Sequence, residues 1–222
     1  VDNSCVQDGY QLYHHCFILS EDGEWAVVQQ GMRGCLARRY HWLSEGVQSF
    51  VEKPHSGIAS DRREPTVLDM TARDSEQARD ASLDLVRDKP DRFASLVREA
   101  EQLSMDEYLP ARAGIRPLVM PAQHMIPRLS ERTAAALRRA YELQPENYEE
   151  LVAIRGIGPK AVRALALVSE LVFGAAPSWK DPAKYSFAHG GKDGIPFPVD
   201  RRTYEKTIEI IENATSAAKI GQ

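Results

Sequence analysis

Two glycines one residue apart and followed by proline, in AIRGIGPKAVRALAL at residues 153–167, constrain this chain more than any other stretch. A helix does not run through Gly-Ile-Gly-Pro, because glycine weakens a helix interior and proline, lacking an N–H, belongs in a first turn. Leu151, Ile154, Val162 and Leu165 recur at helical spacing on either side. The pattern predicts two helices joined by a tight turn, with Ile157 turned inward to lock their angle. Gly156 and Gly158 admit positive φ and carry no side chain, so the backbone there comes within reach of a ligand. The amides that open the second helix lack intrahelical acceptors and lie at the positive end of its dipole, which suits a phosphate. Arg155, Lys160 and Arg163 add positive charge around the turn. The competing reading is a glycine turn inside a helical bundle, with a lysine that is merely solvated.

The remaining residues set this turn in an α+β chain. LYHHCFIL and EWAVVQQGM, at 12–19 and 24–32, are rich in β-branched and aromatic residues and flank Ser20-Glu21-Asp22-Gly23, which predicts a β-hairpin. Both of its faces carry apolar side chains, so strands covered on both sides are expected, in an α+β unit over residues 1–70. Residues 71–128 predict two helices divided at Lys89-Pro90, then a linker holding Pro110, Pro117, Pro121 and Pro127. Residues 129–222 predict a helical region in which Ser130 caps one helix, Gly174 stops the one that follows Pro159, and Asp200 caps the last.

Composition narrows the function classes. With 222 residues, 43% of them hydrophobic, the chain can bury a real core. No apolar run approaches the roughly 18 residues that span a bilayer and no secretory leader is evident, so a cytoplasmic protein is expected. Cys5, Cys16 and Cys35 are an odd set without CxxC spacing, expected to be reduced and structural rather than disulfide-bonded or zinc-bound. A net charge of −4 tells against a broad electrostatic grip on nucleic acid but not against a small local one. The opening at Val1, almost at once on a strand-like pattern, suggests a piece of a longer protein.

Two further groups of residues carry chemistry. Asp2, Asn3, Gln7 and Asp8 precede the first strand, His14 and His15 lie in it, and Gln29, Gln30 and His41 follow. Oxygen and nitrogen ligands of this kind could hold Mg²⁺ or Mn²⁺ and activate water for phosphodiester hydrolysis. Asp2, Asp8 and His14 are the candidate metal ligands, and Asp8, His14 and His15 the candidate catalytic residues. His14 and His15 are adjacent in a strand and point to opposite faces, so both do not readily bind one metal. Buried, hydrogen-bonded polar groups on a sheet are the plainer reading. The second group is the glycine-rich loop HGGKDG at 189–194, which could bring Lys192 to a phosphate, although an ordinary turn would need nothing more.

At larger scale LVAIRGIGPKAVRALAL resembles the helix-hairpin-helix motif over roughly 25 residues, in its apolar positions, glycine pair and following lysine. Together with FPVDRRTYEKTIEII it is similar to the helix-hairpin-helix DNA glycosylase superfamily. That resemblance implies a Schiff-base role for Lys160 and a catalytic acid at Asp200. The interval between the two is longer than in that superfamily, and no cysteine cluster follows. VDNSCVQDGYQLYHHCF, EWAVVQQGM, ARRYHWLSE, the GIGPKAVRALALVSELVFGAAP block and FAHGGKDGIPFPVDRRTYEKTI occur in the order found in the domain-of-unknown-function 763 proteins, and the chain resembles their C-terminal half. The preferred expectation is a metal-dependent nuclease that grips DNA, without reading sequence, through Gly156, Ile157, Gly158, Lys160, Arg163 and Lys192. A glycosylase or lyase and a non-catalytic DNA-binding module are the alternatives. No membrane partner is expected, and assembly into a homo-oligomer is left open.

Overall fold

A computed structural model describes residues 2–60, 62–106, 129–183 and 201–217. Four strands, β2 (Gln11–Leu19), β3 (Trp25–Arg33), β4 (Leu36–Leu43) and β5 (Gly57–Ser60), form an antiparallel meander in chain order, with β1 (Val6–Gln7) and β6 (Leu68–Asp69) paired separately. The β2–β3 turn closes as its sequence predicts: Ser20 N–H donates to Glu24 O at 2.8 Å, and Gly23 takes φ +85°. A register shift between Leu12 and His14 places an irregularity in β2. The alternation of β4 then buries Arg38, Tyr40 and Trp42 on one face and leaves Arg39 and Leu43 exposed on the other.

Among the described residues six α-helices follow: α1 (Glu76–Arg87), α2 (Pro90–Asp106), α3 (Glu131–Leu143), α4 (Tyr148–Ala153), α5 (Pro159–Phe173) and α6 (Arg201–Ala217). Lys89-Pro90 does divide α1 from α2. Ser130 Oγ accepts the Thr133 N–H at 3.2 Å and caps α3, and Gly174 ends α5 at φ +68°. α5 is the central element. Its residues Ala161 to Ser169, except Arg163, are buried, and the small side chains Ala78 and Ser82 of α1 lie in the same packed interior, where Ser82 Oγ and Ser169 Oγ are 3.5 Å apart.

One apolar core joins Cys5, Leu68 and Met70 to Leu85 and Phe93 and onward to Leu137, Leu151, Ile157 and Leu165. Helices α1 to α5 therefore share one interior with residues from the β unit. Of the Pro-rich linker expected over 106–128, Asp106 ends α2 and the rest lies outside the described residues, as does the Asp200 cap. The expectation of strands covered on both sides fails for β2, an edge strand whose Phe17, Ile18 and Leu19 are each more than half exposed. The cysteines are all free, but only Cys5 is buried, its thiol pushed up to about 12 by desolvation, while Cys35 is exposed and lies outside the core.

Candidate nucleic-acid interface

α4 and α5 are held at a fixed angle by residues inside the turn and beneath it. Asn147 Oδ1 accepts the Glu150 N–H at 2.9 Å, and the Glu150 carboxylate returns to the Glu146 N–H at 2.8 Å, so the start of α4 is capped at both ends of the pair. Ile157 N–H donates to Ile154 O at 3.0 Å, and the Ile157 side chain is buried. The two glycines serve different purposes. Gly156 adopts φ +103°, and a Cβ there would meet the Ala136 Cβ of α3 at 2.8 Å, so both conformation and space require glycine. Gly158 is extended at φ −128°, and nothing lies within 4 Å of where its Cβ would be. A Cβ fits there, and glycine leaves that side of the turn bare.

Gly158 is the N-cap of α5 and no side chain caps the helix. Pro159 has no N–H, so Gly158, Lys160 and Ala161 supply the amides that this helix end leaves without an intrahelical acceptor. Arg155 and Lys160 are exposed beside them, and Arg139 reaches in from α3 to donate to Arg155 O at 3.4 Å. Arg163 differs. Its guanidinium is half-buried, stands 5.6 Å from the centre of the Trp179 ring and donates to Gln7 Oε1 at 3.4 Å, while desolvation pulls its pKa down. Gln7 Nε2 in turn donates to Pro159 O at 2.8 Å. Arg163 thus braces α5 against the N-terminal segment and is a weaker candidate for a phosphate than Lys160. Lys192 and Asp200 lie outside the described residues.

Asp8 sits in a charge network that was not legible in the sequence. Its Oδ2 accepts from Tyr40 Oη at 2.6 Å and from Arg38 Nη1 at 2.9 Å, and its Oδ1 from the Tyr10 N–H at 3.0 Å. Arg38, with no solvent exposure, also forks onto Asp181 at 3.0 and 2.7 Å, donates from Nε to Ser60 Oγ at 3.2 Å and lies over the Tyr10 ring at 4.6 Å. Glu64 accepts from Arg33 at 2.6 Å, Arg62 at 3.0 Å and Tyr10 Oη at 3.1 Å. Three carboxylates meet three guanidiniums here, so the formal charge of the network cancels, with Arg38 buried and Arg33 and Arg62 partly exposed. Burial raises the Asp8 carboxyl, while the Tyr40 hydroxyl and Arg38 work to lower it.

Glu64 shows the opposite balance. Burial works to raise its pKa, but the hydrogen bonds from Arg33, Arg62 and Tyr10 prevail and bring it from 4.5 down to about 2. A depressed carboxyl contributes stability that is complete above the unfolded value and is lost as pH falls through the folded one. Between pH 5 and pH 2 the wild type should therefore lose about 2 kcal/mol more than Glu64→Gln, with Arg33 and Arg62 partly screened by water. Urea unfolding of both proteins at the two pH values measures this, and equal losses would contradict it.

Asp2 is equally committed: Oδ2 accepts from Trp42 Nε1 at 2.9 Å and Oδ1 pairs with His55 Nε2, both groups buried. His14 and His15 are exposed and face opposite ways, His15 Nδ1 meeting Gln29 Nε2 at 3.0 Å. Asp2, Asp8 and His14 do not converge. Among the described residues no group of three or more His, Cys, Asp or Glu side chains could hold a metal ion. The physical reason is that each aspartate already has its charge met by a buried donor.

A family model described as Protein of unknown function (DUF763) matches residues 1–199. The chain belongs to the DUF763 family. No curated protein and no solved structure matches it. In this DUF763 chain no described helix is long and apolar enough to cross a membrane. Sequence reasoning missed Arg38, Tyr40, His55, Glu64 and Asp181 as polar centres. The available signal was the every-second-residue spacing of Arg38, Tyr40 and Trp42 in ARRYHWL, which places an arginine in a buried register.

Proposed function

We propose that this chain grips a DNA backbone, without reading base order, through the α4–α5 turn acting as a helix-hairpin-helix, and that it does so as the binding part of a DNA-processing protein. The bare, uncapped start of α5 at Gly158 carries this reading: a helix end with unmet amides, a glycine that neither conformation nor packing requires, and exposed Arg155 and Lys160 alongside. Contacts to the phosphates position the protein and carry no sequence information.

The passive module is preferred over the nuclease because Asp2 and Asp8 are tied to Trp42, His55, Arg38 and Tyr40 and do not form a ligand set. Labelled plasmid and damaged oligonucleotides, incubated with Mg²⁺, Mn²⁺ or EDTA and in parallel with borohydride, should be bound and recovered intact. Nicking that requires metal would restore the nuclease reading, and covalent trapping by borohydride would restore the lyase reading with Lys160 as the amine.

A further inference from the structure

On the face of the sheet that carries Arg38, Tyr40 and Trp42, a pocket of about 390 Å³ opens between strands β2 to β4 and the segment that follows them. Its walls are Phe17, Trp25, Trp42 and Phe50, with His15 and Gln29 at the polar end. The Phe50 ring lies 14° from parallel with Trp25 and 28° from parallel with Trp42, at centroid distances of 6.1 and 6.2 Å. Flat walls of this kind receive a planar ring, and the volume falls within the range of ligand sites.

The polar end narrows the choice. Gln29 donates from Nε2 to His15 Nδ1, which leaves the neutral imidazole with its Nε2–H as a donor. Gln29 Oε1 is buried and has no hydrogen-bond partner among the described residues, an unmet acceptor that an incoming N–H would relieve. One acceptor and one donor side by side match the edge of a heterocycle that offers both. A cationic ligand fits less well, since both oxygens of Asp2, the carboxylate at the pocket, already serve Trp42 and His55.

The pocket also lies close to the proposed phosphate site. Asp2 is bridged to Val6, and the next residue, Gln7, donates to Pro159 O in the first turn of α5. Neighbouring strands are about 4.8 Å apart, so by this path the pocket wall and the helix end lie within on the order of 15 Å of each other. At duplex rise that is roughly four nucleotides, and fewer in an extended strand.

We propose that this pocket takes a nucleobase of the strand whose phosphate rests on the α4–α5 turn, stacked against Phe50 and the two tryptophans; the inference depends on the backbone-binding reading above. The test compares a single-stranded oligonucleotide with one of the same length whose bases are replaced by abasic sites, so that the phosphates are retained. The intact strand should bind about tenfold more tightly and quench tryptophan emission, and the abasic strand should do neither. Phe50→Ala, at a side chain already 47% exposed, should reduce the intact strand to the affinity of the abasic one. Ile18→Ala, on the opposite face, should leave the difference unchanged. A free nucleoside monophosphate should bind far more weakly than the strand, and binding as tight as the strand's would overturn the claim that the base arrives on a strand. Equal affinity of intact and abasic strands, with salt-sensitive binding retained, overturns the pocket and leaves the turn standing. Absence of all oligonucleotide binding overturns the turn, and with it this inference.

Discussion

Arg38→Met should destabilise the protein by about 3–5 kcal/mol, because it leaves Asp8 and Asp181 buried without their counter-charge. Methionine fills much of the arginine's volume, so the loss reports charge and hydrogen bonding more than a cavity. Arg38 contributes donors to Asp8, Asp181, Ser60 and the Arg62 carbonyl, and these groups come from three separate parts of the chain. Its removal breaks the ion pair between β4 and Asp181 after α5 and leaves Tyr40 and Trp42 as the side-chain ties of β4 to Asp8 and Asp2. Asp8→Asn alone should cost less, since the one amide oxygen can still accept from Tyr40 and Arg38 keeps Asp181 as its counter-charge. Adding Asp8→Asn to Arg38→Met should recover part of the loss, because the double variant removes one of the two orphaned charges. Urea denaturation with a shared slope measures all three variants. If Arg38→Met came within 1 kcal/mol of the wild type, the network would not hold the fold as described.

This network also marks the limit of what the sequence discloses. The α4–α5 turn was legible because its determinants are local: two glycines, a proline and a few apolar positions fix it within 15 residues. The same holds for the β2–β3 hairpin, the break at Lys89-Pro90 and the Ser130 cap. Arg38 pairs with partners 30 and 143 residues away, and no periodicity encodes such a contact. The aspartates and histidines near the first strands looked alike in sequence because all could serve a metal. Folding separates them: Asp8 is sealed beneath Arg38 and Tyr40, Asp2 is held by Trp42 and His55, and His14 is left in solvent. The glycine pair was read only in part, since Gly156 alone takes positive φ. That Gly158 has room for a Cβ, and yet is bare at an uncapped helix end, shows only in the folded backbone.

Gly158→Val combined with Lys160→Glu is the second large effect expected. Valine fits the open space at an extended position without disturbing Ile157 or Ala136, and glutamate sets a negative charge beside the start of α5, where it repels a phosphate. Both changes lie on the exposed side of the turn, so urea stability should stay within about 1 kcal/mol of the wild type. DNA affinity should fall by at least about tenfold, because unmet amides are covered and a cation is replaced by an anion.

The most direct measurement is therefore a titration of wild-type protein and this double variant against single- and double-stranded oligonucleotides of unrelated sequence, from low to physiological salt. Wild-type affinity should be similar across sequences and weaken as salt rises, with the double variant weaker throughout and less dependent on salt. No association at low ionic strength, or an affinity that the double variant leaves unchanged, would contradict the assignment of the α4–α5 turn as a phosphate grip.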